Sequence, residues 1–258
     1  VSLVIVALLM VYLFEDEKSR ALEQLAIGER LTNEVIDRRT ELELSRLGVV
    51  VQDFGFRSAI ASRDPATIDS ALENHSGRVG ADFALLLDSQ GQPLASTLQR
   101  PFPEITPDQL ANTRRNGFTR SLRAIDGMGF EVLVTPVEAP GLRAWLVTGF
   151  ALDQSLAEVI ARLSGTSVIF RARSDQTEGL SSFATTTRID DNVEQELKGA
   201  PGNARFIDSA GYFTRIINLG DSEPADIQVV LLISRDAPLQ NYYRRAVEIA
   251  LLVRAILV

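Results

Sequence analysis

The chain has 258 residues, 34 acidic against 26 basic, and a formal net charge of −8. That balance, without a dense Lys/Arg cluster, argues against nucleic acid as a partner, because a phosphate-binding surface needs a basic excess. Cysteine is absent and His75 is the single histidine, which excludes disulfides, thiolate or multi-histidine metal sites and most histidine-dependent catalysis.

Apolar content of 45% and charged content of 23% suit a globular protein with a real core, in one or two domains. Residues 3–14 and 246–258 are apolar stretches. Neither reaches the roughly 18–20 residues that span hydrocarbon, yet Val1 is not an initiator methionine and Val258 stops in mid-run. Residues 1–14 are therefore expected to belong to one transmembrane helix, and residues 237–258 to a return helix running into a second. The remainder would fold on one side of the bilayer. A secretory signal is the alternative for the first stretch, but no cleavage site follows and the helical pattern continues through Glu15-Asp16-Glu17-Lys18. A buried amphipathic helix is the alternative for the second, and Arg254 favours it.

From 15 to 61 no proline occurs, so one long stalk helix is expected. Leu22, Leu25, Glu29, Thr32, Ile36 and Arg39 follow a three-four spacing, a patchy seam rather than a strict coiled coil. At 1.5 Å per residue such a helix is about 70 Å long. That suits a stalk that pairs with a second copy and carries motion along its axis.

Arg63-Asp64-Pro65 predicts a turn with Asp64 as N-cap, then a helix over 66–78. The period next changes from helix to strand: a strand over 83–88, a tight turn at Ser89-Gln90-Gly91-Gln92 and a partner over 93–97. Beyond Pro101 and Pro103, Thr106 caps a short helix to Arg115. Strands over 117–125, 130–137 and 142–150 follow, turned at Asp126-Gly127 and Ala139-Pro140-Gly141. The same grammar recurs in reduced form. A helix runs from Asp153 to 163, a strand over 167–173, a short helix over 190–198, and strands over 204–209, 211–218 and 227–234. Residues 174–187, rich in Ser, Thr and Gly, read as a mobile loop. Asp236-Ala237-Pro238 starts the terminal helix. The sum is an α+β chain with a PAS-like antiparallel-sheet unit at 62–152 and a smaller one at 153–236.

In a PAS-like fold a ligand sits between the concave sheet face and the helices or loops beside it. Arg120 shares parity with Phe118 and Leu122, Arg123 with Thr119, Ser121 and Ile125, so only one arginine can face inward; Arg120 is the choice. Glu131 lies across the meander. Trp145, the only tryptophan, alternates with Arg143 and Val147. Phe118, Arg120, Glu131, Arg143 and Trp145 are thus the candidate ligand set, fitted to a small anion or carboxylate. The plainer reading is a surface Arg–Glu pair beside a core tryptophan. His75 is expected to serve the end of its helix, and Asp190-Asp191 to cap the next. No catalytic constellation, metal set, cofactor or phosphate loop is implied. An enzyme is disfavoured, and a dimerisation or partner-protein module without a small ligand is the main rival.

The order of membrane helix, stalk, larger PAS-like unit, smaller unit and return helix resembles the double-Cache periplasmic sensor of bacterial inner-membrane signalling receptors. The stretches Asp53-Phe54-Gly55-Phe56-Arg57-Ser58-Ala59 and Ser70-Ala71-Leu72-Glu73-Asn74-His75-Ser76-Gly77-Arg78-Val79-Gly80-Ala81-Asp82 resemble the subgroup attached to diguanylate cyclases and phosphodiesterases. The resemblance implies ligand sensing in the membrane-distal unit and an output in cyclic di-GMP turnover, with a histidine kinase or chemoreceptor as the alternative. The Tyr, Arg-Trp and Asp pattern of the amino-acid-binding members is missing, since no tyrosine lies between Tyr12 and Tyr212.

Overall fold

A proline-free run of 51 residues forms one helix, α1 (Ser2–Gln52). The computed structural model describes residues 2–99, 102, 105–139, 142–174, 179–188, 194, 195, 197, 207–209, 211–220 and 225–234. The terminal helix expected from 237, the Asp190-Asp191 cap and the Pro140-Gly141 turn lie outside those residues, as does most of the short helix over 190–198. No helix among the described residues is long and apolar enough to cross a membrane.

The expected stalk is not one helix to residue 61. It stops at Asp53, whose carboxylate accepts from the Phe56 N–H at 2.9 Å and starts α2 (Phe54–Ser62). An aspartate that caps the next turn offers the backbone an alternative to continuing, which is why the break sits there. Asp64 caps α3 (Pro65–Val79) in the same manner, with proline at the first turn.

The first sheet contains β1 (Phe83–Leu87), β2 (Pro93–Ser96), β3 (Thr119–Ile125), β4 (Met128–Ala139) and β5 (Leu142–Ala151), in the order β2-β1-β5-β4-β3. Before β3 comes α4 (Pro107–Asn116), closed by a capping box between Thr106 and Gln109. Then α5 (Gln154–Ser164), capped by Asp153, leads to the second sheet. Its strands are β6 (Ser167–Arg173), β7 (Leu180–Thr185), β8 (Ile207–Ser209), β9 (Tyr212–Leu219) and β10 (Ile227–Ser234), in the order β7-β6-β10-β9-β8. Counted within each sheet this is the same permutation, so the two units are topological repeats. The loop expected over 174–187 instead contains β7, hydrogen-bonded along β6. Its polar Leu-Ser-Ser-Phe-Ala-Thr sequence hides a strand whose partner supplies most of the apolar surface.

Both faces of the first sheet are covered. Leu133, Leu146 and Phe150 pack with Leu47 and Val50 of α1 and with Phe56, Ile60 and Leu72 of α2 and α3. Val132, Val134, Trp145 and Val147 pack on the other face with Ile105 and Leu110, beside α4. One face of the second sheet takes Ala21, Leu25 and Ile36 of α1 together with α5. The buried stripe of α1 therefore runs Ala21, Leu25, Gly28, Thr32, Ile36, Thr40, Glu43, Leu47, Val50, a helical three-four spacing laid along two consecutive cores. Leu25, Thr32 and Ile36 of the expected seam face the chain's own sheets.

Candidate functional site

Strand parity divides four of the five candidate residues between two faces. On β4, Glu131 is opposite Leu122 and Phe150, and Leu133 is opposite Arg120. Arg120 and Glu131 therefore lie on the face that meets α1. Trp145 is opposite Pro136 and Leu87, on the face that meets α4. Arg143 shares the parity of Trp145 in β5, opposite Glu138 in β4. Phe118 precedes β3 and is exposed.

The α1 face holds a buried charge network. Arg120 Nε lies 2.6 Å from Glu131 Oε1 and its Nη1 donates to Asp37 of α1 at 2.8 Å. Thr40 donates a short hydrogen bond to the same Glu131 oxygen. One turn away, Arg39 donates to Glu43 Oε1 at 2.6 Å and to the Ala151 carbonyl at 2.8 Å. Glu131 and Glu43 are almost completely buried, and Oε2 of each has no hydrogen-bond partner. Burial pushes the Glu43 carboxyl up to about 7; Arg39 opposes that rise and the neighbouring Glu131 reinforces it. A proton on Glu43 lets its carboxyl donate to Glu131, a hydrogen bond that two carboxylates cannot make.

The α4 face holds a different kind of place. Trp145 is fully buried, and its indole N–H has no acceptor. It borders a cleft of about 240 Å³, also lined by the Ser89–Gln92 turn and by Ile105, Leu110, Ala111 and Arg114. Arg114 stands 5.7 Å over the indole ring, within cation–π range. Sequence reasoning did not single out Arg114. The Arg114-Arg115 pair at the end of α4 reads as dipole compensation, and only the fold reveals that one of the two turns onto the tryptophan.

His75 sits inside α3 rather than at its cap, which is Gly80. Its ring packs 4.9 Å from Phe56, and Nε2 faces Asp53 at 3.7 Å. These contacts dock α3 on α2, and burial holds the imidazole below its ordinary pKa. In the second sheet the almost fully buried Arg171 donates to the carbonyls of Leu197 and Leu180. No group of metal-ligating side chains is present among the described residues.

Residues 18–256 match the family model described as the double sensory domain of two-component sensor kinase. No curated protein matches the chain. Among solved structures, the periplasmic domain of Vibrio cholerae LuxQ aligns at 16% identity and a TM-score of 0.49, covering 83% of this chain and 100% of that one. A domain of a putative sensory box/GGDEF family protein from Vibrio parahaemolyticus aligns at 10% identity and 0.47, covering 87% and 98%. The ligand-binding domain of the Pseudomonas fluorescens chemoreceptor CtaA, in complex with L-serine, aligns at 14% identity and 0.44, covering 82% and 95%.

Proposed function

The chain belongs to the double sensory domain family, and from that premise we propose that it is the extracytoplasmic part of a transmembrane receptor, binding a small molecule in its first, membrane-distal unit. The observation that carries the reading is Trp145: a buried N–H without an acceptor, beside a cleft and beneath a guanidinium. Leaving a buried donor unpaired costs about 1–3 kcal/mol, and a ligand oxygen would recover that cost. Arg114 would add charge complementarity, so the ligand is expected to be a small molecule bearing a carboxylate or similar acceptor. Arg143 shares the strand parity of Trp145. Arg120 and Glu131 then act on the opposite face, tying the bound unit to α1. Phe118 lies between α4 and β3.

In this reading the ligand favours one arrangement of the distal unit, and α1 and the second unit pass the displacement across the inner membrane. The apolar stretches at both ends support a membrane attachment with the domain facing the periplasm. The motifs at 53–59 and 70–82 support a cyclic di-GMP output; the family's description, which names sensor kinases, supports a kinase as the second choice. Leu42, Val49 and Phe54 are exposed on α1 and α2 and support a homodimer through the stalk.

Intrinsic fluorescence tests the site, because Trp145 is the only tryptophan. Titration with organic acids and amino acids should give a saturable change for one ligand, weakened at least tenfold by Arg114→Gln. A flat response across the panel from a stable dimer would replace this reading with a protein-interaction module.

A further inference from the structure

A second, larger cavity lies away from Trp145, where the two sheet units and the long helix meet. It has a volume of about 650 Å³, within the usual range for small-molecule sites of about 300–1,000 Å³. Asn33, Ile36 and Asp37 of α1 form one wall, and Arg120 to Arg123 of β3 a second. Asn218, Leu219 and Gly220 at the end of β9 form a third, with Gln109 of α4 at the rim. Because β3 is the last strand of its sheet, side chains of both parities, Arg120 and Arg123, border the same space.

The polar groups around it are mostly donors in search of acceptors. Arg120 is already committed to Glu131 and Asp37, and Asp37, the one carboxylate of the lining, is committed to Arg120. Arg123 has no hydrogen-bond or ion-pair partner among the described residues. The Gln109 carbonyl accepts from the Thr106 N–H in the capping box, which leaves its amide NH2 as the group on offer. Ser121 and Asn33 have no partner among the described residues either. Ile36, Leu122 and Leu219 supply apolar surface between them. A planar guanidinium flanked by hydroxyl and amide donors matches an oxyanion, which can take two parallel N–H bonds from the fork.

We propose that this inter-unit cleft is a second ligand site, taking a small oxyanion, either a carboxylate or a phosphate, on Arg123. It is independent of the Trp145 cleft. Its occupant touches α1, the first sheet and the second sheet together, so occupancy braces the two units against each other.

The purified 258-residue chain is titrated with sodium phosphate and, separately, with sodium malonate, against sodium chloride at equal ionic strength, by calorimetry and thermal unfolding. One of the two anions saturates and raises Tm by several degrees at a hundredfold excess over its Kd; which one does so identifies the chemical class. Arg123→Gln weakens that binding at least tenfold. Asn33→Asp, at an exposed helical position that leaves the fold untouched, weakens it too by placing a negative charge on the opposite wall. Trp145→Phe leaves it unchanged. The proposal is overturned if neither anion saturates, or if binding survives both Arg123→Gln and Asn33→Asp. It is equally overturned if Trp145→Phe alone abolishes binding, which would assign the anion to the distal cleft.

Discussion

Arg120 on the edge strand of the first sheet and Glu131 on the next strand meet at 2.6 Å, and the same guanidinium reaches Asp37 of α1 at 2.8 Å. Glu131 is fully buried and Arg120 only partly so. Removing the arginine therefore leaves a buried carboxylate without its counter-charge, with only the neutral donors Thr40 and protonated Glu43 beside it. Breaking one side of a buried pair costs about 3–5 kcal/mol, and partial exposure of Arg120 puts Arg120→Ala at the lower end. Glu131→Gln, which keeps an acceptor for Thr40, should cost less. Urea denaturation of the two variants checks the order.

Glu43 gives the fold a signed pH dependence. Its carboxyl is raised from 4.5 to about 7 in the folded chain, so the unfolded chain ionises first. The folded state keeps full advantage below about pH 4.5 and loses it as pH rises through 7, by on the order of 3–4 kcal/mol at about 1.4 kcal/mol per pH unit. Glu43→Gln carries an amide N–H that can donate to Glu131 without titrating. The variant should match the parent near pH 4.5 and exceed it in stability at pH 8. The slope from His75, whose folded pKa is lowered, has the opposite sign and is the same in both proteins, so it cancels in the difference. Equal stabilities across the range would show that Glu43 ionises freely.

At Gly149 in β5 an added Cβ would lie 2.0 Å from the ring of Phe83, which itself packs against Phe102 and Phe130. Overpacking of this kind costs typically 1–3 kcal/mol. Gly149→Ala should lower Tm clearly, and Phe83→Leu in the same chain should recover part of the loss. Additive losses in the double variant would rule out the contact as the cause.

A proline at Leu31 would interrupt α1 within the stretch that packs on the second sheet, between Leu25 and Ile36, and ahead of its contacts with the first, at Leu47 and Val50. The local cost is about 3 kcal/mol. In a whole receptor, Leu31→Pro should abolish output while ligand still quenches or enhances Trp145 emission. Undiminished output would count against a mechanical role for the helix.

Much of the helical framework was legible because caps are local chemistry. Asp64, Thr106 and Asp153 begin helices where their side chains can accept the first free N–H groups, and sequence places them correctly. Asp53 escaped because nothing beside it, neither proline nor a change of period, distinguishes a cap from an exposed aspartate in mid-helix. The site was only half legible. Parity correctly kept Arg120 with Leu122 and Trp145 with Val147. It could not say that these two sets lie on opposite faces, because β1 is buried on both sides and a sheet covered twice has no polar face to mark its orientation. The carboxyl pair was invisible for another reason: Glu43 and Glu131 are 88 positions apart, and only the packing of α1 on β4 brings them together.

At Gly28 α1 packs against the second sheet without room for a side chain, since an added Cβ would fall 2.9 Å from Leu231 Cδ1. Beside it, Gln24 holds the carbonyls of Ser164 and Gly165. Sliding the helix would withdraw that notch and drive Leu25 or Thr32 of the same stripe at β10, whereas tilting about the notch would not. The helix thus resembles an oar in its rowlock. A displacement passed to α1 through Asp37 would then tilt the helix about Gly28 rather than slide it.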